Sequence, residues 1–293
     1  MLINGNWTEA PEGALFDVIN PANGDVVGQV PDGNAASARS AIEAAAAAFG
    51  SWSKTTAHAR SAILYKAWQL MLERKEDLAR TMTLEQGKPL RAATTEVQYA
   101  ADFLLWFAEE AKRSYGETIP SARADQRFIV SHYPVGVVAA ITPWNYPVSM
   151  ITRKVGPALA AGCTVVLKPA EATPLCAIKV FEILTEAGLP DGVINLVTTS
   201  NPAPVGEEFV SNPLVRKLTF TGSTAVGKML AGKAAGNMKR VSCELGGHAP
   251  FLVFDDADPV HAAKGVQLVK FLNTGQACIS PNRIFVHQSK VDA

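Results

Sequence analysis

The spacing of apolar residues changes character four times along the chain. Over the first 35 residues short apolar alternations are broken by Asn, Gly and Pro, as in LINGNW, FDVINPANGD and VVGQVPDGN, which predicts short strands joined by turns. From Ala36 to Phe107 the apolar positions recur at helical spacing in long Ala/Leu/Glu/Arg segments, including the Ala-rich run Ala44 to Ala48. Only EQGKP, at Glu85 to Pro89, interrupts that stretch. Residues 116–135 then turn extended: a polar, turn-rich piece precedes FIVSHYPVG, and an extended hairpin near 115–135 is expected, serving subunit contacts.

After Pro134 strand-like runs alternate with helical stretches. The strands are VGVVAAI (135–141), CTVVLKP (163–169), GVINLVT (192–198) and KLTFTG (217–222), with a helix expected from Pro174 to Gly188. Strands separated by helices imply βαβ crossovers and a parallel sheet, so the fold class is α/β, a Rossmann-like parallel sheet flanked by helices. Such sheets bind ligands at the carboxyl ends of their strands. TPWN, KPAE and FTGS all stand there. Beyond Arg240 come VSCELGG, taken as a buried strand with Cys243 in the core, a second buried strand APFLVF, and a helix from about Asp258 to Asn273. Asp258 followed by Pro259 predicts the start of that helix, an N-cap with Pro at the next position. The division expected is residues 1–240 as one α/β domain and 241–293 as the incomplete start of a second.

Composition narrows the function classes. The 293 residues are 48% hydrophobic and 18% charged, ample for a large core. With 27 basic and 27 acidic side chains the net charge is zero, which gives no electrostatic reason to expect nucleic acid or an anionic membrane as partner. MLINGNW lacks the regions of a secretory signal, and the four cysteines show no CxxC pair or zinc spacing. A cytoplasmic setting and no metal are expected.

Single motifs leave the chemistry open. FTGSTAVGK has Gly222, Gly227 and Lys228 at P-loop spacing, but Met229 stands where a magnesium-binding hydroxyl is required. What remains is a strand, a Gly turn and a helix whose free N–H groups can face a pyrophosphate, or an ordinary strand-to-helix turn. Lys168 and Glu171 at a strand end are suited to ribose hydroxyls, or form a solvated surface pair. Cys278 lies in a Gly-Gln-Ala-Cys-Ile-Ser turn among small and polar neighbours, where a thiol is easier to expose and activate than in a core. Glu244 is a candidate general base, and Gly246–Gly247 would let a flat ring approach the backbone.

Taken in order, PWNYP (143–147), KPAEATP (168–174), FTGSTAVG (220–227), ELGGHAPFLVFDDAD (244–258) and NTGQACISPNR (273–283) closely resemble the aldehyde dehydrogenase superfamily. EQGKP, LINGNW and NPANG are similar to it too, so the resemblance covers essentially the whole chain. It implies Cys278 as the nucleophile, Asn145 as an oxyanion donor and Glu244 as the base that activates water. It implies a dinucleotide, NAD with NADP as the alternative, held by Thr142, Pro143, Trp144, Lys168, Glu171, Gly222, Ser223, Leu245 and Gly247. Glu171 would repel a 2′-phosphate and so favours NAD. Within the superfamily the stretches VSMITRKVGPALAAGCTVVLKPAEATP and SNPLVRKLTFTGST look most like succinate-semialdehyde dehydrogenases. Arg153 then matches an arginine used for the substrate carboxylate, while Leu272 stands where those enzymes carry a second one. The partners expected are a small-molecule aldehyde and further copies of the chain, as dimer or tetramer. The family's chains are longer, and a truncated reading of a longer enzyme is expected.

Overall fold

The computed structural model describes residues 1–292. A short β1 (Leu2–Ile3) and β2 (Asn6–Trp7) lead into the hairpin β3 (Leu15–Ile19) and β4 (Val26–Pro31). Four helices follow: α1 (Ala35–Trp52), α2 (Ala57–Glu73), α3 (Lys75–Gln86) and α4 (Leu90–Ala111). A second hairpin, β5 (Glu117–Pro120) and β6 (Arg127–Val130), lies where an extended hairpin is expected. Then come β7 (Val137–Ile141), α5 (Ser149–Ala160), β8 (Thr164–Lys168), α6 (Pro174–Glu186), β9 (Ile194–Leu196), α7 (Pro202–Ser211), β10 (Val215–Thr221), α8 (Thr224–Ala235) and β11 (Arg240–Glu244). β12 (Ala249–Val253), α9 (Pro259–Lys270) and β13 (Pro281–Val286) complete the described elements.

Seven strands form one sheet in the order β11-β10-β7-β8-β9-β1-β2. The pairings from β11 through to β9 are all parallel; β1 runs against them, and β2 turns back antiparallel to β1. The chain therefore builds β7, β8 and β9 outward in one direction, then returns to the other side of β7 for β10 and β11. The order reverses between β7 and β10, and a crevice opens at the carboxyl ends of the strands at such a point. Alternate residues of β7 and β8 feed two cores, as the twofold strand repeat dictates. Ala140, Val165 and Leu167 pack with α2 to α6, whereas Val137, Ala139, Ile141 and Val166 pack with α1, α7 and α8. The apolar runs of β7 and β8 are buried throughout because helices cover both faces.

Two expectations need correction. β11 is the edge of the large sheet, with Arg240, Ser242 and Glu244 exposed and Cys243 only half-buried, so Cys243 is not a core residue. Among the described residues β12 pairs with β13 alone, and Pro250 and Leu252 are exposed, so APFLVF is covered on one face only. An apolar run is buried only where another layer covers it. The helix expected to reach Asn273 also stops short: α9 ends at Lys270, and Asn273, Thr274 and Gly275 all take left-handed backbone.

Helix starts decide where the site is built. An α-helix begins with unpaired N–H groups that need acceptors. α1 is closed by the Asn34–Ser37 capping box, α8 by Ser223 and α9 by Asp258. α5 and α6 have no side-chain cap of their own. α6 is closed instead by Glu85 of α3, whose carboxylate accepts from Leu175 and Cys176 N–H at 2.8 Å each. α5 is closed by Glu96 of α4, whose Oε1 accepts from Val148 and Ser149 N–H at 3.1 Å each. Burial raises the Glu85 carboxyl to about 7 against the lowering effect of those N–H donors. Replacing Glu85 by Ala strands two buried donors and should lower the unfolding free energy by about 2 kcal/mol. Gln, which keeps an acceptor, should lose less. Urea denaturation of both variants checks this, and equal losses would show that the cap is not what Glu85 contributes.

Candidate active site

The turn Gln276–Ser280 follows α9 and presents Cys278, which is exposed as a free thiol. It opens on a cleft of about 980 Å³. The cleft is walled by α4 through Arg91, Thr95 and Tyr99, by α5 through Met150 and Arg153, and by α9 through Lys264 and Leu268, with Phe271 just past its end. Arg153 is oriented there by Tyr99: its Nη2 donates to the Tyr99 hydroxyl at 2.7 Å, and the guanidinium lies 4.9 Å from the Phe103 ring centroid. Among the described residues neither Arg91, Arg153 nor Lys264 forms an ion pair. Glu96, also in the wall, is paired with Lys88. The cleft is thus apolar in its surface and cationic in its charge. Leu272 adds to the apolar part.

Asn145 sits at the junction of this cleft and the strand ends. Its Nδ2 donates to the Gln276 carbonyl at 2.7 Å, two residues before Cys278. That bond uses one amide hydrogen and leaves the second on the same nitrogen. The Asn145 carbonyl accepts from Asn273 Nδ2 at 2.8 Å and from Lys88 Nζ at 3.0 Å. Cys278, Asn145 and Arg153 are therefore brought together. Glu244 is not among the residues walling the cleft: it ends β11 on the other side of the site, its carbonyl accepting from Gly222 N–H at 3.1 Å.

The remaining predicted residues cluster at the carboxyl ends of the strands. Thr142, Pro143 and the half-exposed Trp144 follow β7, and Gly222 and Ser223 follow β10, on the two sides of the reversal in strand order. A side chain at Gly222 would strike the Phe220 ring, and one at Gly227 would strike Leu245, so both glycines let backbone and helix close together. Leu245 packs there, against α8. Thr221 Oγ1 is buried with no hydrogen-bond partner among the described residues. Lys168 and Glu171, after β8, pair with each other, and burial lowers the Lys168 ammonium. Gly247 is open on the side a Cβ would occupy. His248 is engaged elsewhere, its Nδ1 3.0 Å from Asn282 Nδ2.

A profile of the aldehyde dehydrogenase family matches residues 7–293. The chain belongs to that family. It is 55% identical over 291 residues to the NADP(+) succinate-semialdehyde dehydrogenase of Escherichia coli, with 99% of this chain and 60% of that protein aligned. To the glutarate-semialdehyde dehydrogenase of Pseudomonas putida it is 54% identical, again over 99% and 60% of the two chains. A solved Escherichia coli structure described as an NADP-dependent enzyme superposes with a TM-score of 0.97 at 55% identity, covering 99% of this chain and 60% of that one. The chain thus spans about 60% of the length of the relatives it matches.

Four polar residues beside this site receive no role from the motifs: Lys88, Glu96, Asn273 and Lys154. Glu96 carries a signal, because it shares the buried face of α4 with Ala93, Val97 and Ala100. Lys154 gives none in the sequence. It is buried, donates from Nζ to Thr219 Oγ1 at 3.0 Å, and lies within the field of Glu244. Desolvation lowers it to about 8; Glu244 and Cys243 oppose that, and Arg153 and Lys217 add to it. A lysine depressed in the fold contributes stability above its unfolded value that is lost as pH falls through the folded one. Lys154→Met removes that dependence. Its unfolding free energy relative to the parent chain should therefore fall as pH rises from about 8 to 10.5, by about 3 kcal/mol in all. Denaturant melts at neutral and alkaline pH measure the difference; a flat one would refute the depressed lysine.

Proposed function

We propose that the chain carries the dinucleotide crevice and the nucleophile of an aldehyde dehydrogenase acting on an acid-tailed aldehyde, succinate semialdehyde foremost. The reading rests above all on one observation: the Asn145 amide is tied to the Cys278 turn, and that turn lines a cleft that also holds Arg153. Cys278 Sγ attacks the aldehyde carbon, and the carbonyl oxygen takes the negative charge. The free N–H of Asn145 and the Cys278 backbone N–H stabilise it, each such donor being worth ~3 kcal/mol. A nicotinamide dinucleotide, which Gly222, Ser223, Lys168 and Glu171 at the strand ends would hold, would supply the hydride acceptor. Loss of hydride from the former aldehyde carbon leaves a thioester on Cys278. Glu244 takes a proton from water, the water oxygen attacks the thioester carbon, and Cys278 departs as thiolate, releasing the carboxylic acid.

The residues present suit that dinucleotide. The reversal between β7 and β10, the close approach at Gly222 and the free N–H groups of α8 suit a pyrophosphate. Lys168 and Glu171 suit a ribose. The substrate class follows from the cations of the cleft and from the two relatives, whose named substrates both bear a carboxylate. A guanidinium binds such a group through paired, charge-assisted hydrogen bonds. Leu272 stands where a second arginine is expected, so the other guanidinium in the cleft wall is that of Arg91 on α4. Association of several copies through the exposed β5–β6 hairpin, with Ile129 and Phe128 outward, completes the reading.

The purified chain, given NAD and succinate semialdehyde beside propanal, should form NADH only while Cys278 is intact. Arg153→Leu should lower kcat/KM for the acid-tailed aldehyde by roughly 10- to 100-fold and leave propanal little changed, the loss of one charge-assisted pair. Equal losses on both aldehydes would remove Arg153 from substrate binding. An NAD-shifted thermal transition without turnover would instead mark a dinucleotide-binding module. Glu171→Ser, which removes a carboxylate opposed to a 2′-phosphate, should raise the use of NADP relative to NAD. Steady-state kinetics with an unchanged ratio would sink that assignment.

A further inference from the structure

We infer that the buried pair Lys88–Glu96 positions the oxyanion donor Asn145, gripping the segment 145–149 at both ends; the inference rests on the aldehyde reading of the site. Lys88 and Glu96 have side chains only 1% and 2% exposed, and they touch in the helix layer behind the cleft. The Lys88 ammonium has three hydrogens. One meets Glu96 Oε2 and one the Asn145 carbonyl, while Nζ lies 4.3 Å from the Tyr146 ring centroid. Glu96 uses its other oxygen on Val148 and Ser149 N–H. A continuous path thus runs from the Asn145 carbonyl through Lys88 and Glu96 to the start of α5, and back along the chain to Asn145.

The arrangement constrains one peptide above all. Lys88 from one element and Asn273 from another both donate to the Asn145 carbonyl, so the peptide plane after Asn145 is held from two directions. The side-chain amide is held in turn by Gln276. A catalytic donor misplaced by a fraction of an ångström loses much of its effect, so such restraint bears directly on the oxyanion. Stability alone does not account for the pair. A buried ion pair is commonly no better than an apolar one of the same shape, and a local Ser or Thr suffices to cap a helix. Neither alternative would reach the Asn145 carbonyl.

Lys88→Met by itself leaves Glu96 buried without a countercharge, so the informative variant is Lys88→Met with Glu96→Gln. It keeps an acceptor for Val148 and Ser149 N–H, leaves no unpaired charge, and removes the Lys88 donor to Asn145 together with its contacts to Glu96 and Tyr146. Glu96→Gln alone is the milder second variant. The readout is the reversible adduct of propanal with Cys278, followed as protection of that thiol against iodoacetamide, with no cofactor present. The propanal concentration for half-protection should rise about tenfold in the double variant, with a thermal transition close to that of the parent. Added to Asn145→Ala, the same changes should raise it no further, because residues acting through one group are not additive. Protection at the parent concentration, or losses that multiply in the Asn145→Ala background, would overturn the role of the pair. Absence of propanal protection in the parent chain would overturn the aldehyde reading itself, and the role of Asn145 with it.

Discussion

The first turns of α5 and α6 expose N–H groups that no neighbouring side chain accepts, and a buried helix start in that condition is unstable. Two carboxylates from the helix layer resolve it, Glu85 for α6 and Glu96 for α5. Glu85 stands in the last turn of α3, where the helix's own dipole disfavours a carboxylate. Its place makes sense only as the cap of another helix. EQGKP is thereby a joint and not merely a break between helices. Glu85 closes α6, Gln86 donates to the Gln276 side chain at 3.1 Å, Gly87 turns the chain in left-handed backbone, and Lys88 reaches Asn145. Strand ends, cleft and nucleophile turn are all referred to these four residues.

The site has two sides of different character. At the carboxyl ends of the strands, small residues and a helix start make a backbone surface suited to a dinucleotide. Behind the Cys278 turn, three helices make an apolar wall bearing unpaired cations. Asn145 belongs to both, because it follows β7 and precedes α5. The residue that faces the reacting carbonyl in the proposed mechanism therefore sits where the parallel sheet hands over to the helix layer, and both layers must be in register for it to be placed.

The centre of the sheet was legible because β7 and β8 are nearly continuous apolar runs, and burial on both faces demands that pattern. Asn145, Cys278 and Arg153 were legible from motifs, and the fold brings them together. Glu244 was named by the same motifs, yet it lies outside the cleft wall, since spacing along a chain does not report which side of a sheet edge a residue serves. Glu85 and Lys88 were silent as functional residues because EQGKP reads as a break between helices, and Glu96 because a charged residue in a helical pattern reads as a solvated face. Only the phase of α4, with Ala93, Val97 and Ala100 around Glu96, betrays its burial. Cys243 and the APFLVF strand were misread for the converse reason. Apolar sequence states a preference for cover, and the cover is set by tertiary neighbours that local pattern does not contain.

The trans caps also impose an order on synthesis. Glu96 precedes the N–H groups it closes by 52 and 53 residues, and Glu85 precedes its own by 90 and 91. Chains emerge from the ribosome amino end first, so both acceptors are made well before their donors. Helices α3 and α4 must therefore wait with two carboxylates still hydrated, and those groups give up water only when β7 to α6 dock against them. Contacts of such sequence separation close slowly. The nascent helix layer is thus a receptacle whose polar positions are already set when the first strand of the parallel sheet arrives.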